Sequence, residues 1–426
     1  MPNKGIAAAG VDEMVIFLKL IQEMAQYYTD RFPDEILVYL ESYDKRGGNV
    51  LFDFIDSNEF DSFNIILNLN PLKSPSMVFV SGYYLKPVRE NTIYTIKKET
   101  INRLNEQGLI VQNLEGSFII GYQLLLNDTI ESLFEHSVAL NETEIFFRNV
   151  YVPRTGDVNH IPSMIKGRLS FKIRNVEQAN WNELYLNHKA WIIYDAGAPF
   201  LAGRKEVLHM IENREDLYRS DSPGLFISHW DVDHYHSLVA MSDETIKRFA
   251  FVVCRDHLPT LTSRILFGRF SALLSSDKVF SISAGPSVKG STPLTLISDP
   301  NNQILIFVGH EHKDRNRSGI VLVIRTANSN VIFSGDVHYH QLSEYVLPYI
   351  GYPGRHYLVV PHHGGNAGKF SYEVESKAKM ASAIISVGKN PYGHPFKKNT
   401  DSLNRLGFSI LKTNILRSDI EVDMQD

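Results

Sequence analysis

The stretch Ser228-His229-Trp230-Asp231-Val232-Asp233-His234 constrains this chain more than any other. It follows Gly224-Leu225-Phe226-Ile227, an apolar run that reads as a buried strand. Two imidazoles and two carboxylates are then crowded just past the strand end. Such a cluster repels itself and resists burial unless a positive charge holds it, and a divalent metal is the simplest holder. Tyr235-His236-Ser237-Leu238-Val239-Ala240-Met241 reads as the opening of a helix. Strand, ligand-bearing loop and helix in succession is how many α/β enzymes present a site. One His beside one Asp would be ordinary loop composition; four such residues together call for a chemical reason.

Composition narrows what that reason can be. At 426 residues the chain suits two domains, and 43% apolar with 21% charged residues is ordinary for a globular protein. The one cysteine, Cys254, excludes an internal disulfide and a Cys-based zinc finger, so a metal must rely on His and carboxylate. It also fits a reducing compartment. The net charge of -5 lacks the basic excess usual for a nucleic-acid binder, although a local basic groove is compatible with it. No stretch approaches a membrane span of roughly 20 apolar residues. Met1–Gly10 has no sustained apolar core before Asp12-Glu13 and is not read as a secretion signal. The expectation is a cytoplasmic protein with no membrane partner.

Residues 1-165 are expected to form an N-terminal α+β domain. Met14, Val15, Leu18, Ile21 and Met24 recur at helical spacing in a helix from Val11 to about Tyr28, as a core-facing stripe would. Short β-like runs follow at 36–40, 63–67 and 77–80, separated by Asn, Pro, Ser and Gly. A helix over 97–108 and a hairpin from 109–112 and 118–120 come next. Helix then hairpin suits a winged-helix module, and equally any α+β domain. No catalytic cluster occurs here, so the expected role is partner binding, substrate positioning or dimerisation. The boundary is placed in the loop-rich stretch from Pro153 to Pro162.

Residues 166-426 repeat one pattern: an apolar β run, then His or Asp just past its end. It occurs at His229, His310, Asp336, His362 and His394. Residues far apart in sequence would then gather at one edge of a sheet, which is what a multinuclear metal site needs. Trp191–Tyr194 ends in Asp195-Ala196-Gly197, where Gly197 permits a sharp turn. Cys254 sits inside an apolar run and reads as a small core residue.

Taken together these motifs resemble the metallo-β-lactamase superfamily, and within it the soluble domain of ComEC-type DNA-uptake proteins. The resemblance covers roughly the last 260 residues. His229-Trp230-Asp231-Val232-Asp233-His234 is similar to a His-x-Asp-x-Asp-His variant of the usual His-x-His-x-Asp-His. Asn175–Asn180 stands where the family has its opening segment. Asn316-Arg317-Ser318, Ser334-Gly335-Asp336, Pro361-His362-His363-Gly364 and Asn390-Pro391-Tyr392-Gly393-His394-Pro395 follow in the family's order.

The resemblance implies an α/β fold, an αββα metallo-β-lactamase sandwich, with one or two divalent metal ions (Zn or Mn) at its edge. It implies that Asp233 and His234 hold one metal, that Asp336 bridges two, that His229 and Asp231 bind the other, and that His363 closes the site. His362 is the alternative ligand or a supporting partner. Asp231 in place of a His gives a harder oxygen donor and favours Mn²⁺ relative to Zn²⁺. The superfamily's ligand His before the Gly-Asp strand has no clear counterpart; His310 and His312 are the candidates. His236-Ser237 replaces the usual Gly pair. The transmembrane channel of ComEC proteins has no counterpart, so DNA uptake is not carried over.

The implied chemistry is metal-assisted hydrolysis by a phosphodiesterase or nuclease. Asp233 would orient the water or accept its proton, and His394 would bind the scissile phosphate or protonate the leaving group. Arg315, Arg317, Lys397 and Lys398 are candidate phosphate contacts on nucleic acid, or else solvated loop charges. The alternatives are a small-substrate hydrolase of lactones or phosphoesters, and a low-activity regulatory protein acting through a partner.

Overall fold

In the computed structural model, the described residues are seven strand backbones between residues 35 and 124, and positions 158–424. Excepted from the latter are 159–160, 162–164, 199–203, 259–260, 284, 313, 351–353, 375–378 and 389–392. The chain divides into two compact units. One comprises Met1–Val152, Leu201–His209 and Leu258–Ala272; the other comprises Pro153–Phe200, Met210–His257 and Leu273–Asp426.

In the first unit, β1 (Glu35–Tyr43) lies between β6 (Thr92–Lys97) and β2 (Asn49–Ile55). The sheet continues through β3 (Asn64–Leu69) to β7 (Ile119–Leu124). A separate ribbon pairs β4 (Val78–Ser81) with β5 (Tyr84–Pro87). The runs expected at 36–40, 63–67 and 77–80 are thus strands over their described residues. β7 pairs in parallel with β3. Segment 109–112 of the expected hairpin, the helix expected at 11–28 and all but Lys97 of that expected at 97–108 lie outside the described residues; Lys97 ends β6 instead.

The second unit is α/β, with two mixed seven-stranded sheets. In the first, β13 (Val279–Ile282), β12 (Val252–Arg255), β11 (Gly224–Phe226) and β10 (Lys189–Ala196) run parallel. β9 (Trp181–Leu186), β8 (Leu169–Ile173) and β21 (Ile420–Asp423) continue it antiparallel. In the second, β14 (Leu294–Leu296), β15 (Ile304–Gly309), β16 (Ile320–Arg325) and β17 (Ser329–Phe333) are antiparallel. β18 (Arg355–Val359), β19 (Lys379–Ile385) and β20 (Ser409–Lys412) then follow β17 in parallel.

The period-2 alternation of a strand explains why these runs are apolar throughout. Ile304, Ile306 and Val308 of β15 enter one core, while Leu305 and Phe307 enter another. Ile320, Leu322 and Ile324 of β16 divide from Val321 and Val323 in the same way. The first core lies between the sheets: Phe171 of β8 meets Phe333 of β17 and Tyr357 of β18 edge-on, each with ring centroids 5.7 Å apart. Burying one such side chain contributes roughly 1.5–3 kcal/mol. The second core lies beneath the helical segment bearing Tyr339, Leu342 and Val346.

Helix α1 (Arg204–Asp221) meets the first sheet where Trp181 Nε1 donates to Tyr218 Oη at 3.0 Å. Helix α2 (Val232–Ala240) begins at Val232 rather than Tyr235, with Asp231 at its N-cap position. Asp233 and His234 therefore sit on the first helical turn, not in a loop. Lys397 and Lys398, read as phosphate contacts or else as loop charges, open helix α3 (Lys397–Arg405).

Among the described residues, no helix is long and apolar enough to cross a membrane. Cys254 is buried within β12, as expected.

Candidate metal centre

The parallel halves of the sheets set the site. Tyr194 is level with Phe226, so Asp195 and Ser228 leave β10 and β11 side by side. Phe333 is level with Val359, so Asp336 and His362 leave β17 and β18 together, and His362 N–H donates to Gly335 O at 3.2 Å. Strand carboxyl ends are where open parallel sheets place ligands. The sheets are tied together beside this edge: Tyr194 Oη donates to Ile320 O at 2.7 Å, and Ile320 N–H donates to Ser228 O at 2.8 Å.

Gly197 lets the α2 turn come close. A Cβ there would lie 1.8 Å from Asp233 O, which instead accepts a hydrogen bond from Asn180 N–H at 2.9 Å.

Two donor sets converge. His229, His234 and Asp336 offer atoms within 4.8 Å of one another, and so do Asp233, His234 and His363. The rings of His229 and His234 stand 4.1 Å apart. His234 Nε2 lies 3.3 Å from Asp336 Oδ1 and 3.8 Å from Asp233 Oδ1. His363 Nε2 lies 3.1 Å from Asp233 Oδ2.

The far nitrogens are held from behind. His234 Nδ1 is 2.8 Å from Asp195 Oδ2, and Asp195 also accepts from Ser228 N–H at 2.7 Å and from Ser228 Oγ at 2.9 Å. His363 Nδ1–H donates to Ser386 O at 2.8 Å, leaving Nε2 as the lone-pair nitrogen. Backing groups of this kind orient metal-binding imidazoles.

Four buried atoms of the expected metal ligands have no hydrogen-bond partner: His229 Nε2, His234 Nε2, Asp336 Oδ1 and Asp231 Oδ1, the last of which faces the Arg315 guanidinium. Buried polar atoms are seldom left so, because each loses its water without compensation. A divalent ion would satisfy His229 Nε2, His234 Nε2 and Asp336 Oδ1, which converge, so the residues fit a metal.

The electrostatics agree. Burial opposes ionisation of Asp336, but His362 and His234 hold it well below the usual carboxylate range. Burial likewise opposes ionisation of Asp233, which His234 and His363 hold low. Burial disfavours a charged His234, yet Asp336, Asp233 and Asp195 push it well above the ordinary imidazole value. The centre thus stabilises a positive charge at the His234 position.

The remaining expected residues are placed as follows. Asp231 belongs to neither donor set: its Oδ2 is 3.5 Å from His229 Nε2, while its Oδ1 pairs with Arg315 Nε at 3.3 Å. Burial would raise its pKa, but Arg315 and His229 hold it below the usual range. His362 Nδ1 contacts Asp336 Oδ2 and lies 3.1 Å from Asn316 Nδ2. Burial disfavours its charged form, yet Asp336 pushes it up to about 9.

His394 flanks the donors rather than joining them. Its ring is 5.1 Å from that of His362, and its Nδ1 is 3.3 Å from Gln178 Nε2. Burial, then His362 and His363, push it down to about 4. Asn390–Tyr392 of its motif lie outside the described residues. His310 instead contacts Thr295 Oγ1 at 2.8 Å and Pro286 O at 2.9 Å, and His312 Nδ1 accepts from Asp314 N–H at 2.9 Å.

Lys397 pairs with Asp401 at 2.6 Å, and Arg317 pairs with Asp314 at 3.2 Å. Lys398 lies over the Phe396 ring at 5.5 Å, and that ring meets His394 edge-on at 5.3 Å.

Sequence reasoning missed the supporting roles of Asp195, Ser228, Gln178, Asn180 and Ser386. Asp195 carried the signal used elsewhere, an acid at the end of an apolar strand. The others are small polar residues whose roles exist only in three dimensions. Neither family models nor curated proteins gave a match to this chain.

Proposed function

We propose that this chain is a metal-dependent hydrolase built on an αββα metallo-β-lactamase sandwich, and that it cuts phosphodiester bonds in DNA or another nucleic acid. The observation that carries the reading is the convergence of His229 Nε2, His234 Nε2 and Asp336 Oδ1, buried and without hydrogen-bond partners. Zn²⁺ or Mn²⁺ held by these residues with Asp233 and His363 would supply a hydroxide at neutral pH and charge stabilisation for the phosphoryl group.

The chain's own residues would do the rest. Asp233, half-buried at the rim, orients the attacking water. Arg315 on the Asp231 side and Lys398 on the His394 side present positive charge to an anionic substrate. His394, held neutral, suits hydrogen-bonding to a phosphoryl oxygen better than protonating a leaving group. The N-terminal unit would bring the enzyme to its partner or substrate. Cys254, alone and buried, accords with work in the cytoplasm.

The test is incubation of the full chain, stripped with chelator and resupplied with Mn²⁺ or Zn²⁺, with single- and double-stranded DNA. Metal-dependent cleavage is expected, falling by at least about 100-fold in Asp233→Ala. Metal binding without DNA cleavage would overturn the nuclease reading. Hydrolysis of a lactone or small phosphoester in its place would install the small-substrate alternative.

A further inference from the structure

The two donor sets are not two metal sites. They share His234, whose Nε2 faces both Asp336 and Asp233, and a neutral imidazole nitrogen has one lone pair for one ion. His234 Nδ1 cannot serve a second ion, because it faces Asp195 at 2.8 Å. The two sets therefore compete for one ion at His234.

A second ion would need Asp231 Oδ2 together with His229 Nε2, 3.5 Å away, and Asp336 Oδ2, which is 4.0 Å from His229 Nε2. Asp231 already faces a cation. Arg315 Nε lies 3.3 Å from Asp231 Oδ1, and Arg315 Nη1 donates to Trp230 O at 3.4 Å. The guanidinium is thus fixed to the loop on both sides of the Trp230–Asp231 bond. It stays charged at all working pH values, so it neutralises Asp231 permanently. The residues expected to complete a second site are engaged elsewhere: His310 with Thr295 and Pro286, and His312 with the Asp314 backbone. His362 turns its Nδ1 to Asp336 and Asn316.

We propose that the centre is mononuclear and that Arg315 stands in for the second ion. The guanidinium excludes a second divalent cation from Asp231 and contributes the fixed positive charge that ion would have brought to a substrate phosphoryl group. Guanidinium suits this task because its planar fork matches phosphate oxygens. The inference rests on the metal-dependent reading of the same site and adds its stoichiometry and the role of Arg315.

The experiment is equilibrium dialysis of the full chain against Mn²⁺ or Zn²⁺, with the bound metal counted by mass spectrometry. Wild type is expected to saturate at one ion per chain. Asp231→Asn is expected to keep that ion with affinity changed less than about threefold, since Asp231 holds Arg315 rather than metal. Arg315→Gln is expected to take up a second ion. Two ions in wild type, loss of metal in Asp231→Asn, or a single ion in a folded Arg315→Gln would each overturn the inference while leaving the hydrolase reading intact. No ion bound to wild type would instead remove the metal-dependent reading beneath it.

Discussion

His234, on the first turn of α2, and Asp195, near the end of β10, form a buried pair, with Nδ1 and Oδ2 2.8 Å apart and neither side chain exposed. The pair decides which way the His234 ring faces. With Nδ1–H donated to the carboxylate, the lone pair of Nε2 points at Asp336 and Asp233. Asp195 does this from a left-handed backbone conformation, φ 58°. A residue held so at a strand end is costly to keep and has a positional purpose here.

Asp195→Asn tests that purpose. Asn tolerates the left-handed region, so the fold is expected to survive. The amide is a poorer acceptor and can present N–H to the imidazole, which would disturb the His234 tautomer. Metal affinity, measured by competition with a chromophoric chelator, is expected to fall 10–100-fold. An unchanged affinity would show that Asp195 serves folding alone.

Gly365→Ala addresses His394. A Cβ at Gly365 would lie 2.2 Å from the His394 ring. The imidazole must move, while the metal-facing nitrogens are untouched. Phosphodiester hydrolysis is expected to drop by at least about 10-fold with metal content unchanged. Full activity would remove His394 from the substrate side of the site.

Gly197→Ala probes how the helix turn is seated. The added Cβ meets backbone, Asp233 O at 1.8 Å, where no side chain can give way. The hydrogen bond from Asn180 N–H to that oxygen would be lost with it. Stability is expected to fall by about 3 kcal/mol or more, read from denaturant unfolding. A loss below about 1 kcal/mol would mean that the α2 turn shifts without cost.

His356 sets a pH dependence away from the metal centre. It is buried between Tyr372 and Phe408, with Nε2 2.6 Å from Tyr372 Oη, and burial pushes it down to about 4. Unfolded, the ring titrates near 6.5. Between those values the unfolded chain takes up a proton that the folded chain refuses. The stability linked to His356 is therefore complete above about pH 6.5 and is lost as pH falls to about 4, by a few kcal/mol at most. His356→Gln is expected to lower stability at pH 7 and to flatten this decline by close to one proton. An unchanged slope in denaturant midpoints taken from pH 7 to pH 4 would contradict it.

Most of the second unit was legible because its strands are buried on both faces and read as continuous apolar runs. β15, β16 and β18 are of this kind. β14 and β21 were not, because Leu294–Leu296 and Ile420–Asp423 are too short and mixed to signal a strand. β21 also finds β8 across almost the whole unit, a pairing that no local pattern announces. Helix α3 hid because Leu403 is its only apolar residue. At the site, His229, Asp233, His234 and Asp336 were legible from their crowding past apolar strands, and His363 from the resemblance of its motif; the structure brings these five into two overlapping groups. Asp231 was assigned to metal by the resemblance; in the structure it lies beside both His229 and Arg315, a partner many residues away. Residue type revealed the candidate donors, and only the geometry set His229, His234 and Asp336 together and Asp231 beside Arg315.

The account rests on a metal among His229, His234 and Asp336. The direct measurement is an anomalous diffraction map from crystals of the chain loaded with Zn²⁺, collected above and below the zinc edge. The account predicts one peak within about 2.0–2.2 Å of His234 Nε2 and of Asp336. A map with no peak there, or with the ion held on other residues, would contradict it.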